Sequence, residues 1–85
     1  MQTNKAAALR LKAIADADSG SLVRALQLFQ MRNVTPLRVA AQRIGREILE
    51  LEIEVDPTHL TPEAFRTIVG KLNELPVVWS AVACD

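Results

Sequence analysis

Leu49-Glu50-Leu51-Glu52-Ile53-Glu54-Val55 is the stretch that decides the fold. Its period of two puts Leu49, Leu51, Ile53 and Val55 on one face and three glutamates on the other, as in a strand packed on one side and wet on the other. Upstream, Leu37 to Gln42 alternates more weakly, with Leu37, Val39 and Ala41 on one face and Arg38, Ala40 and Gln42 on the other. Gly45, between Arg43 and Arg46, marks the turn of a hairpin that joins the two strands. Downstream, Asp56-Pro57-Thr58-His59 breaks the strand. Thr61 then stands as N-cap before Pro62 and Glu63, and Phe65, Ile68, Val69 and Leu72 form the apolar stripe of a helix that Pro76 closes. Val77 to Cys84 has the β-branched content of a last strand.

The N-terminal half holds one more strand and one more helix. Leu9 to Ala15 alternates, with Arg10 and Lys12 on the polar face. Asp16-Ala17-Asp18-Ser19-Gly20-Ser21 is a turn in which Gly20 supplies backbone freedom. Leu22, Ala25, Leu26 and Phe29 recur at i, i+3, i+4 and i+7, so a first helix is expected to run to about Arg32. Asn33 then tolerates the left-handed conformation, and Pro36 prevents continuation. Residues 1–8 have no period and are expected to be a flexible lead, which leaves 9–85 as a single domain.

The order strand, helix, strand, strand, helix, strand, with right-handed crossovers, predicts an α+β, ferredoxin-like βαββαβ sandwich. Its four-stranded antiparallel sheet has the order 4-1-3-2, with both helices on one face. Strand three then lies between strands one and two. Glu50, Glu52 and Glu54 are expected to face Arg10 and Lys12 on one side and Arg38 on the other, as cross-strand pairing prefers.

Composition narrows the function. The chain has 85 residues, 49% apolar, and 10 basic against 10 acidic side chains. A domain of this size buries only about 60% of the surface its unfolded chain exposes, so a partner is expected to supply further burial. Zero net charge without a basic cluster argues against nucleic acid. One cysteine forms no internal disulfide, and no cluster of Cys and His suggests structural zinc. No apolar run approaches the roughly 20 residues of a membrane helix, and the start lacks a signal-peptide core, so a soluble, cytoplasmic protein is expected.

No catalytic constellation stands out. The glutamate row reads as a solvated ion-pair lattice rather than a metal site. His59 is the only histidine and lies in a loop with Asp56, without a nucleophile placed to use it. Cys84 reads as a small apolar strand residue. The turn at Asp16 to Ser21 supports two readings, an ordinary capped helix start and a loop whose free amides hold a carboxylate. Leu28 and Met31, and to a lesser degree Val23, point away from the core stripe of helix one and suggest a packing surface. Strand two is an edge whose backbone groups need a partner.

Asp18-Ser19-Gly20-Ser21-Leu22-Val23-Arg24 followed by Leu28-Phe29-Gln30-Met31-Arg32 resembles the start of an ACT domain, of the type in the small regulatory subunit of acetolactate synthase. Leu72-Asn73-Glu74-Leu75-Pro76-Val77-Val78 resembles the end of the same domain, and the likeness spans nearly all of residues 9–84. The resemblance implies a homodimer, paired through strand two and helix one into an eight-stranded sheet, with Leu28, Met31, Leu37 and Val39 at the partner interface.

It also implies an amino-acid effector held by Asp18, Ser19, Gly20, Ser21 and Leu22 of one chain and by Thr35 and Pro36 at the start of strand two of the other. Gly20 and Ser21 would offer backbone amides to the effector carboxylate. Ala17 and Thr35 depart from the asparagines of valine-binding members and remove two side-chain hydrogen bonds to such a ligand.

The chain is therefore expected to be non-catalytic, binding and activating the large catalytic subunit of acetolactate synthase in branched-chain amino-acid biosynthesis. It would hold no cofactor itself, since thiamine diphosphate, Mg and FAD would belong to that partner. The alternative is a stand-alone ACT dimer that senses an amino acid or related small molecule. A third reading, from another class, is a small enzyme using His59 with Asp56.

Overall fold

The computed structural model describes residues 8–84, so the expected lead lies, apart from Ala8, outside the described residues. The elements are β1 (Leu9–Asp16), α1 (Ser19–Gln30), β2 (Arg38–Ile44), β3 (Ile48–Val55), α2 (Pro62–Glu74) and β4 (Val78–Cys84). The strands form one antiparallel sheet in the order β2-β3-β1-β4, which is the expected 4-1-3-2 read from its other edge. The architecture is the ferredoxin-like βαββαβ sandwich.

The alternation of β3 becomes its burial. Leu51, Ile53 and Val55 are buried against the helices, and the glutamates point to the open face. They meet Leu11, Ala13 and Ala15 of β1, the Ala25 and Phe29 stripe of α1, and Phe65, Ile68 and Leu72 of α2 in one core. Thr61 caps α2, its hydroxyl accepting from the Ala64 amide at 3.1 Å, with Pro62 as the first helical residue.

The boundaries of α1 and β2 differ most from expectation. Helix α1 starts at Ser19, three residues before Leu22, because Asp18 is its N-cap. It ends at Gln30, short of Arg32. Asn33 adopts φ 58°, and the amides of Asn33 and Val34 bond the carbonyls of Gln30 and Phe29 at 2.8 and 3.0 Å. This left-handed closure returns Val34 to the core. Strand β2 begins at Arg38 and runs on to Ile44, where the ladder with Ile48 closes the hairpin around Gly45, at φ 71°.

Two features of β4 carry no signal in a chain read from one end to the other. The β1–β4 register shifts between Ile14 and Ala15, which pair with Ser80 and Val78, so Trp79 is the extra residue of a bulge. Its indole donates to Asp16 Oδ1 at 2.7 Å and locks that end of the sheet. The side-chain amide of Asn73, at the end of α2, brackets Ala81, accepting from its N–H at 2.9 Å and donating to its carbonyl at 2.8 Å.

Candidate functional site at the first helix and the sheet edge

The turn before α1 is tied down at both ends. Ala17 N–H donates to the Glu47 carbonyl at 2.9 Å, fastening the turn to the β2–β3 hairpin, and Asp18 N–H donates to the Asp16 carbonyl at 2.8 Å. Asp18 Oδ1 accepts from the Gly20 amide at 2.8 Å, and the Asp18 carbonyl accepts from the Ser21 amide at 2.9 Å. Both amides assigned by resemblance to an effector carboxylate are thus already bonded, one of them by a carboxylate of the chain itself.

Gly20 differs from its sequence reading too. It lies inside the first helical turn, and Gly45 alone among the described glycines has positive φ. A Cβ built on Gly20 would touch Asp18 Oδ1 at 3.4 Å, an ordinary contact. The turn therefore does not need a glycine for its backbone conformation.

A cleft of about 270 Å³ opens beside this turn, lined by Ala17, Asp18, Ser19, Leu22, Arg43 and Leu49. Sequence reasoning missed Arg43, because only the hairpin register carries the end of β2 to the start of α1. Ser21 faces inward with Ala25 and Phe29, fully buried, and its hydroxyl has no hydrogen-bond partner among the described residues. Thr35 and Pro36 precede β2 at the far end of the sheet from Asp18. The register sets Arg38 opposite Glu54 and Ile44 opposite Ile48, which pairs with Asp16. The six steps between Arg38 and Ile44 span about 20 Å, so a single chain does not bring Thr35 and Pro36 to the turn.

The helix-side face of β2 is uncovered, since β2 takes its packing almost wholly from β3. Val39 and Ala41, opposite Ile53 and Leu51, belong to the face that is buried on β3 and yet are exposed. Leu37 and Met31 are 61% and 78% exposed, and Val23 is exposed as well. Leu28 does not join them. It is half-buried and packs against the core, because the stripe of α1 is centred on Ser21, Ala25 and Phe29, closer to Leu28 than the Leu22 and Leu26 periodicity suggests.

On the open face Glu52 lies between Lys12 and Arg38, at 3.6 and 3.2 Å, and Arg38 also reaches Glu54 at 3.4 Å. The hydrogen bond from Arg38, helped by the charge of Lys12, holds the Glu52 carboxyl below its usual range. Glu50 lacks the expected cation, since the register places it between Ile14 and Gln42. Asp56 Oδ1 accepts from the amide and hydroxyl of Thr58 at 2.9 and 2.7 Å, which lowers its pKa. Its carboxylate thus organises a turn, and His59 beside it is exposed. No group of three or more His, Cys, Asp or Glu among the described residues is placed to hold a metal, and no described helix is long and apolar enough to cross a membrane.

No protein-family model and no curated protein matches the chain. Solved structures do. The ACT domain from GTP pyrophosphokinase of Chlorobium tepidum superposes with a TM-score of 0.64 at 12% identity, over 91% of this chain and 96% of that one. The two share the ferredoxin-like βαββαβ fold. The C-terminal domain of the MgtC protein from Mycobacterium tuberculosis is similar over 99% of this chain and 92% of its own, with a TM-score of 0.70 and 17% identity. At these identities the likeness shows the fold alone.

Proposed function

We propose that this chain is a non-catalytic regulatory subunit that pairs side by side through β2 and α1 and binds and activates the large subunit of acetolactate synthase in the cytoplasm. The observation that carries the pairing is the β2 edge, exposed along its length beside the uncovered Leu37, Val39 and Met31. An edge of unpaired backbone flanked by apolar side chains is what a second copy can cover. The catalytic partner is inferred from the likeness of Asp18 to Arg24, Leu28 to Arg32 and Leu72 to Val78 to that subunit, and the ACT-type fold supports it. Thiamine diphosphate, Mg and FAD belong to the partner in this reading.

Antiparallel pairing of β2 with its symmetry mate would carry the mate's Thr35 and Pro36 toward Asp18, Ser19, Gly20, Ser21 and Leu22, completing an effector cleft from two chains. An amino acid entering it must displace the Asp18 carboxylate from the Gly20 amide, and it finds no asparagine at Ala17 or Thr35. The subunit therefore activates its partner with weak amino-acid control or none. Mixing it with the matching large subunit tests this: a rise in acetolactate formation is expected, and no change in rate together with no co-elution overturns the assignment. Arg43, which lines the cleft, favours a second reading, a stand-alone dimer that senses an amino acid or related small acid. Calorimetric titration with valine, leucine and isoleucine separates the two, since heat of binding at millimolar ligand without effect on a large subunit supports the sensor.

A further inference from the structure

The order β2-β3-β1-β4 leaves the sheet two edges, and an eight-stranded dimer made through β2 would still end in a β4 at each side. A free edge presents the N–H and C=O of every second residue to any strand that approaches. On β4 the middle pair is taken. Ala81 is the fourth of seven residues in Val78–Cys84, and Asn73 bonds both its N–H and its carbonyl, at 2.9 and 2.8 Å. The two backbone groups of one strand residue point the same way, so Asn73 occupies one whole rung of the outward ladder. Its Nδ2 also donates to the Val69 carbonyl at 3.1 Å, which fastens the amide to α2.

We propose that Asn73 acts as a one-residue surrogate strand that seals the β4 edge and confines strand-to-strand association between copies of this chain to β2. A primary amide carries the same donor and acceptor as a peptide group, so it satisfies the rung as a neighbouring strand would. It also ends the ladder there, because the side chain offers nothing beyond it to continue a sheet. Among the described residues no side chain bonds the backbone of β2 in this way. One sealed and one open edge make pairing a closed, two-fold event; two open edges would allow a growing array. The occupant of the open edge is a second copy of this chain, as in the reading above, on which the choice of β2 rests, whereas the sealing of β4 does not depend on it.

The test measures mass by light scattering after size exclusion, across a hundredfold range of concentration, for four full-length chains: wild type, Val39→Lys, Asn73→Ala and the double variant. Val39→Lys puts a charge on the β2 side and is expected to leave a monomer. Asn73→Ala unseals β4, so species larger than a dimer are expected in the wild-type background, and association is expected to return in the Val39→Lys background. Equal masses with and without Asn73, in both backgrounds and with native far-UV spectra, overturn the proposal. A monomeric wild type would instead refute the β2 dimer, and the Val39→Lys pair would still report on β4. Asn73→Gln guards against misfolding of the alanine variant: with its longer arm it should expose the Ala81 amide to hydrogen exchange, and unchanged protection with unchanged mass also overturns the role.

Discussion

Replacing Gly20 by alanine separates the two reasons a glycine can stand at the start of α1. The residue lies in the first helical turn without positive φ, and the new methyl meets only Asp18 Oδ1, at 3.4 Å. Alanine therefore gains helix propensity and removes freedom from the unfolded chain at little steric cost, a stabilisation of about 0.5–1 kcal/mol. For a domain of this size that corresponds to a rise in Tm of roughly 2–8 °C. Thermal unfolding followed by far-UV circular dichroism, at one fixed protein concentration because dimerisation raises the apparent stability, measures it. A fall of several degrees would refute the reasoning and mean that the backbone or the space at Gly20 is needed by the fold. If amino-acid binding is found in the wild type and lost in the more stable variant, the glycine serves close approach of a ligand.

Phe29→Ala empties the centre of the core at a fully buried position and is expected to cost about 3–5 kcal/mol, read as a large drop in the denaturant midpoint. Ser21→Ala removes a buried hydroxyl without a partner and should be neutral or stabilising by up to about 1 kcal/mol in urea titration, whereas a loss would reveal an unseen hydrogen bond. Glu52 and Asp56 have folded pKa values below their unfolded ones, so each contributes stability that is present above the unfolded value. That contribution is lost as pH falls from the unfolded value through the lower folded one. Both carboxylates reach solvent, so Glu52→Gln should flatten the acid limb of a stability profile only slightly, and a large change at neutral pH would contradict a solvated lattice.

The alternation of β1, β2 and β3, the two apolar stripes and the β-branched content of residues 77–84 placed all six elements, because local period and burial coincide wherever a strand or helix has one dry face. That agreement failed at β2. Val39 and Ala41 carry the inward pattern, but the helices cover β3, β1 and β4 and leave the inward face of β2 open. The wheel of α1 misplaced Leu28 for a related reason, since a stripe fixes a direction only to within the flank on which the neighbouring helix and sheet happen to sit. The turn at Asp18 to Leu22 was visible as a sequence of capping residues, but which oxygen takes the Gly20 amide is a matter of side-chain geometry.

By itself the sequence determined the alternation, the caps at Asn33 and Thr61, the breaks at Pro36 and Pro76, and through them the βαββαβ order and its sheet, since these depend on residues close together in the chain. The tertiary structure alone decided that the inward face of β2 is left uncovered, that Arg43 lines the cleft beside α1, that Trp79 locks onto Asp16, 63 residues away, and that Asn73 closes the rung at Ala81. Each of these is a hydrogen bond or a contact between elements whose register no local pattern encodes.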